Sequence, residues 1–143
     1  MPTSRATATW NGVLRSGNGH FEAGSGLFAG DYTFATRFEG TKGTNPEELI
    51  AAAHAACLSM ALSAGLEKAG TPATRITTKA ACTIEVIAGA GQITKMALEV
   101  RGTVDGIDNA GFVKAANDAK QNCPVSKALK GNLEVVLDAA LET

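Results

Sequence analysis

The chain has 143 residues, of which 13 are basic and 14 acidic for a net charge of −1, with 45% hydrophobic and 19% charged residues. A chain of this length and composition can bury its own core, which excludes a disordered tract or a disulfide-dependent miniprotein. The near-neutral charge gives no general pull toward nucleic acid or an anionic membrane surface.

No linker, repeat or shift in composition marks a boundary, so residues 1–143 read as a single domain. The N-terminal third has β character. Ala6, Ala8 and Trp10 alternate with Thr7 and Thr9, and glycines punctuate short strands as far as Tyr32. A further short strand is expected from Tyr32 to Phe38. Asn45-Pro46-Glu47-Glu48 then carries the signature of a helix start: an N-cap Asn, Pro at the first helical position, and Glu at the capping-box position. This helix runs to Ala69 and stops at Gly70. Its middle is apolar on nearly every side, which predicts a central helix buried all round and wrapped by sheet. The stretch Ile50 to Gly65 is too polar and too short for a bilayer span.

Ile76, Thr78, Ala80, Cys82, Ile84 and Val86 line one face of a long strand. Met96, Leu98, Val100 and Val104 line its partner after a turn at 88–91, giving an amphipathic hairpin. Phe112, Val113, Ala116 and Ala119 place a helix over about 109–121. Pro124 opens a short helix over roughly 125–129, and Leu133, Val135, Leu137 and Leu141 form a last strand. Strands and helices in separate runs indicate the α+β class.

The N-terminus has no apolar core of the kind a secretory signal needs, and three cysteines do not suggest a secreted disulfide framework, so a cytoplasmic address is expected. There is no CxxC or HExxH spacing and no GxGxxG or P-loop, so neither a metal nor a nucleotide cofactor is expected. The chemistry rests on the cysteines. Cys82, on the apolar face of its strand, reads as a small buried hydrophobe. Cys57 lies mid-helix among alanines, three residues after His54, which puts both on one helix face. Packing and catalysis are both open for it. Cys123, just before Pro124, sits at a helix start, whose positive end favours thiolate.

The run Thr36-Arg37-Phe38 through Thr44-Asn45-Pro46-Glu47-Glu48 to Ala53-His54-Ala55-Ala56-Cys57, together with Asn122-Cys123-Pro124-Val125-Ser126, closely resembles the OsmC family of thiol-dependent hydroperoxide reductases. The Ala-Ala-His-Ala-Ala-Cys form is similar to the OsmC subgroup rather than the organic hydroperoxide resistance subgroup. The resemblance implies an OsmC-like fold, with antiparallel sheets wrapping long central helices in an intertwined homodimer whose sites lie at the subunit interface. It implies a peroxidase without metal, haem or flavin, recycled by an external dithiol. Dihydrolipoyl groups are the family's better-known reductants. Cys57 would be the peroxidatic nucleophile, Cys123 the resolving cysteine, Arg37 the cation that stabilises thiolate and leaving oxygen, and Glu47 the residue that orients Arg37.

Physical chemistry constrains these roles. An ordinary thiol, with a pKa of about 8.5, is only about 3% thiolate at neutral pH, and burial makes it less acidic still. Cys57, remote from any helix end, therefore needs a cation. Ten helical residues separate Glu47 from Cys57, about 15 Å along the axis. A Glu47 acting at the Cys57 site is thus expected from the partner subunit. Leu58, Met60, Leu62 and Phe38 suggest an apolar pocket for an alkyl or aryl hydroperoxide, and His54 has a local hydrogen-bonding role open to it. The competing readings are a redox sensor or small-molecule binding protein using the same cysteines without turnover, and a non-catalytic dimer.

Overall fold

The computed structural model describes residues 1–142. Its contacts divide into two compact units, Met1–Glu48 and the chain from Leu49 onward, where the sequence marked no boundary.

In the first unit, β1 (Ala6–Asn11), β2 (Asn18–Ala23) and β3 (Ala29–Tyr32) form an antiparallel sheet in that order. The Tyr32 ring lies 5.6 Å from Trp10 and 5.9 Å from Phe21. Gly19 lets this aromatic cluster close, because a Cβ there would come within 2.6 Å of the Tyr32 ring. The strand expected from Tyr32 to Phe38 does not continue past β3. Phe34–Phe38 is instead a short helix, α1, whose N-cap Thr33 accepts from the Thr36 N–H while the Thr36 hydroxyl accepts from the Thr33 N–H. This reciprocal cap satisfies backbone groups that a strand would need a neighbour to satisfy. The helix start at Asn45 is as the sequence indicates: the Glu48 N–H donates to Asn45 Oδ1 at 2.8 Å, and Asn45 Nδ2 donates to the Thr36 carbonyl at 3.1 Å.

Helix α2 runs over Pro46–Lys68, and Gly70 closes it at φ +86°. From Leu49 on, α2 belongs to the second unit. There β4 (Ala73–Ile87), β5 (Ala90–Val104) and β6 (Glu134–Leu141) form one sheet in that order, and α3 (Asn109–Asn122) and α4 (Pro124–Leu129) connect β5 to β6. The hairpin closes through Ala88 and Gly89, both with positive φ, as a two-residue hairpin turn requires. The sheet is not wholly antiparallel as expected: β6 pairs with β5 in parallel. The helical crossover returns the chain to the starting end of β5, which is what parallel pairing needs.

Leu58, Leu62 and Leu66 of α2, Met96 and Val100 of β5, and Phe112 and Ala116 of α3 make the buried core. The expectation that α2 is buried on every side is corrected within the single chain. Ala51, His54, Leu58, Leu62 and Leu66 are buried, whereas Ala52, Ala53, Ala56, Met60 and Ala64 are exposed. The sheet covers one stripe only, and the alanine-rich background hides that stripe in the sequence. At 23 residues and a mean hydropathy of 1.8 over its most apolar window, α2 is long and apolar enough for a membrane span, contrary to the sequence reading. Its leucines nevertheless serve as the core of the second unit.

Candidate active site: two thiols and two ion-pair partners

On α2, His54 and Cys57 stand three residues apart. Across from them, Cys123 links α3 to α4 and Ser126 follows three residues later in the first turn of α4. Spacing of three puts each pair on one helix face. The two faces meet along two rungs. Cys57 Sγ and Cys123 Sγ are 2.8 Å apart, and His54 Nε2 and Ser126 Oγ are 2.7 Å apart. Cys123 and His54 are fully buried and Cys57 half-buried. Both sulfurs are thiols, and a disulfide bond of about 2.05 Å is a short displacement away.

The thiols differ in acidity. Burial pushes the Cys57 thiol up, and contact with Cys123 adds to this. The Val125 N–H opposes the rise without reversing it. Burial also pushes Cys123 up, but the Cys57 thiol, the Ser126 N–H and hydroxyl, and the Val125 N–H together outweigh it, and Cys123 ends below the ordinary thiol range. None of these donors forms a full helix cap on the sulfur; they act as a cluster. Within one chain, negative charge therefore belongs on Cys123. Helix-end reasoning from the sequence points the same way. His54 is held neutral, its pKa lowered by burial, and its Nδ1 is buried without a hydrogen-bond partner among the described residues.

Arg37 and Glu47 form a second pair, in the first unit. Arg37 lies in the last turn of α1 and donates to Glu47 Oε1 from Nε at 3.1 Å and from Nη2 at 2.8 Å. The guanidinium also covers the Phe38 ring at 5.4 Å. Glu47 is only 4% exposed, and its Oε2 is buried with no partner among the described residues. This ion pair forms within one chain, so Glu47 needs no partner subunit to hold Arg37. The reach is short because Asn45 ties the start of α2 to the Thr36 carbonyl, beside Arg37.

The four residues named from the sequence thus fall into two pairs. Of the apolar residues expected to line a pocket, Leu58 and Leu62 are core, with no exposed surface, and Met60 is exposed. Cys82 packs half-buried against the core opposite Met96. Ser126 was missed by the sequence reading. Its signals are its place at the end of the Asn122–Ser126 motif and a spacing from Cys123 that repeats the spacing of His54 and Cys57. Among the described residues, no group of three or more His, Cys, Asp or Glu side chains is placed to hold a metal ion.

On this α+β frame two thiols lie in contact, near enough to be joined as a disulfide. Residues 39–138 match the family model for OsmC-like proteins. The chain is 45% identical over 140 residues to peroxiredoxin OsmC of Escherichia coli, covering 97% of this chain and 96% of that one. It is 36% identical over 104 residues to an organic hydroperoxide resistance protein of Xanthomonas axonopodis pv. citri, covering 71% and 70% of the two. Among solved structures, an organic hydroperoxide resistance protein from Elizabethkingia anophelis superimposes with a TM-score of 0.79 at 28% identity, covering 99% of this chain and 98% of that one. The chain belongs to the OsmC family.

Proposed function

We propose that the protein is a cysteine-based peroxidase that reduces organic hydroperoxides, and hydrogen peroxide less well, in defence against oxidative or osmotic stress. The observation that carries this reading is the 2.8 Å contact between Cys57 and Cys123. The names of its relatives, a peroxiredoxin and hydroperoxide resistance proteins, support the same chemistry.

The Cys57 thiolate attacks one peroxide oxygen. The O–O bond breaks, the sulfur is oxidised to sulfenic acid, and the other oxygen leaves as alkoxide and takes up a proton to become the alcohol. Cys123 then attacks the sulfenic sulfur, releasing water and forming the Cys57–Cys123 disulfide. An external dithiol, of which dihydrolipoyl groups are an example, reduces the disulfide and is itself oxidised. No metal enters this scheme. A thiol pair that must be reduced again in every cycle calls for a reducing compartment, so a cytoplasmic location is part of the same reading.

Cys57 is the less acidic thiol within one chain, so first attack at Cys57 requires a cation. Arg37 supplies it in this reading, held in place by Glu47. The helix rise keeps Glu47 about 15 Å from the Cys57 of its own chain. The Arg37–Glu47 pair therefore serves the Cys57 of a second subunit, and the protein works as a homodimer. The exposed apolar side of α2, with Met60 at 76% exposure, supports such an assembly. The raised Cys57 pKa is also what a slow redox sensor would show, and turnover separates the two. Wild type should reduce cumene hydroperoxide repeatedly with a dithiol, and Cys57→Ser should not. Oxidation that stops after one equivalent, whatever the dithiol, would leave the sensor reading.

A further inference from the structure

We infer that His54 is a positioning residue for closure of the disulfide: acting through Ser126, it directs a hydroxyl proton at the Cys123 sulfur and holds Cys123 as the attacking thiolate. The inference rests on the peroxidase reading above.

A buried imidazole costs free energy unless it is hydrogen-bonded, and His54 has one bond, to Ser126 Oγ at 2.7 Å. The partnerless Nδ1 selects the tautomer. A proton on Nδ1 would leave a buried N–H unsatisfied, whereas a proton on Nε2 leaves only a bare lone pair at Nδ1. Nε2–H therefore donates to Ser126 Oγ. That bond occupies the oxygen and leaves the Ser126 proton to be given elsewhere; Cys123 stands one turn before Ser126 at the start of α4, and the Ser126 hydroxyl is among the groups that favour charge on its sulfur. The result is a chain of donors, His54 to Ser126 to Cys123, set beside the direct contact of Cys123 with Cys57.

The chain acts at a particular moment. In the reduced protein the Cys57 thiol itself helps to favour charge on Cys123. Once Cys57 is oxidised, that thiol proton is gone, yet this is when Cys123 must be thiolate. The donors that persist are the Ser126 and Val125 N–H groups and the Ser126 hydroxyl, and the hydroxyl is the one that a side chain controls. In the step, the Cys123–Cys57 S–S bond forms as the S–O bond of Cys57 breaks. The oxygen leaves as water with one proton, equal to the one Cys123 gave up. The Cys57 sulfur is reduced and the Cys123 sulfur oxidised, by one unit of oxidation state each.

The test follows both half-reactions in full-length protein treated with one equivalent of cumene hydroperoxide: sulfenic acid by a trapping probe, and the disulfide by mass. In His54→Leu and Ser126→Ala, sulfenic acid should form at close to the wild-type rate while disulfide closure slows about tenfold to a hundredfold, the worth of one hydrogen bond to a charged group. His54→Gln keeps an amide donor and Ser126→Thr keeps a hydroxyl, so both should restore most of the closure rate. The double variant should be no slower than Ser126→Ala, because the two residues act as one unit. Wild-type closure in Ser126→Ala, or equal losses in His54→Gln and His54→Leu, would overturn the inference while leaving the peroxidase intact. Absence of sulfenic acid at Cys57 in Cys123→Ser, where closure is blocked, would overturn both. If His54→Leu does not fold, the Ser126 variants decide alone.

Discussion

Cys57 and Cys123 are 66 positions apart in the chain and meet sulfur to sulfur at 2.8 Å, one from the middle of a long helix and the other from the joint between two helices. Oxidation by one equivalent of hydroperoxide should therefore remove two hydrogens from the protein and leave Cys82 as the sole thiol titrated after unfolding. Closing a loop of this length stabilises the folded state by at most about 4 kcal/mol in the chain-entropy picture. The oxidised protein should melt several degrees above the reduced one by calorimetry. A disulfide joining Cys82 to either of the others would refute the pairing.

The acidities of the two thiols predict opposite effects of pH on stability. Cys123 is lowered, so between its folded pKa and the ordinary thiol pKa of about 8.5 the native state holds fewer protons than the unfolded chain. Stability contributed by Cys123 rises with pH across that window and is lost as pH falls through the folded pKa. Cys57 is raised, so its contribution is lost as pH rises above the ordinary range. Urea unfolding of reduced protein across this range should show the rise in wild type and not in Cys123→Ser. In reduced Arg37→Ala protein, which lacks the cation proposed to act on Cys57, a small alkylating agent just below the ordinary thiol range should find more thiolate at Cys123 than at Cys57, once access to each sulfur is normalised with a neutral thiol probe.

His54 gives a second window, on the acid side. Its pKa is lowered by burial, so below about 6.5 the unfolded chain takes up a proton that the folded chain refuses. Stability should fall as pH drops from about 6.5 toward the folded value. Replacement by Gln removes the titration, so the His54→Gln protein should show a flatter profile over pH 5 to 7 in the same unfolding measurement. An identical slope in both proteins would place the acid sensitivity elsewhere.

Packing at Gly102 offers a test of the core that does not involve the chemistry. A Cβ on this β5 residue would lie 2.6 Å from the Phe112 ring of α3, and Phe112 is fully buried. The ring has no free space to yield into, so Gly102→Ala should destabilise by about 1–3 kcal/mol. Equilibrium denaturation measures the loss, and an unchanged midpoint would mean that α3 does not seat on the sheet as described.

Local signals were legible in the sequence and long-range ones were not. The α2 start could be read at Asn45 and Pro46 because a cap is made by residues three apart. The β4–β5 hairpin could be read because alternation from Ile76 to Val86 and from Met96 to Val100 has a period of two. Helix α1 was misread because five residues are too few for a period, and its one sign was the Thr33–Thr36 pair. The parallel direction of β6 depends on where the crossover returns the chain, which no residue in β6 encodes. The half-covered α2 was hidden because alanine suits a core and an exposed face equally. At the site, helix-end reasoning gave the acidic Cys123, while its pairing with Cys57 came only through resemblance to a family. The bond from His54 to Ser126 joins residues 72 apart and had no local trace.

The Arg37–Glu47 pair allows a test of the proposal that two subunits share a site. Because both residues belong to one chain, they act as a preassembled unit, and the question is whose Cys57 they serve. Arg37→Ala should lose more turnover than the loss of thiolate explains. Raising the thiolate fraction of an ordinary thiol from about 3% to nearly all is worth about thirtyfold, and more for a thiol raised by burial as Cys57 is, whereas charge stabilisation on the departing oxygen adds a separate factor of roughly a hundredfold or more. The deficit should therefore persist at high pH. Glu47→Gln should show a smaller loss, since the amide still accepts one bond from the guanidinium. Mixing an Arg37→Ala subunit with a Cys57→Ser subunit then separates the geometries. If the pair acts across the interface, each mixed dimer has one complete site, made of Cys57 from the first subunit and Arg37 with Glu47 from the second. Purified mixed dimers should recover about half of the wild-type rate, as one intact site of two, although each parent alone is nearly inactive. If the pair serves its own chain, no mixed dimer contains a complete site and activity stays at the parental level.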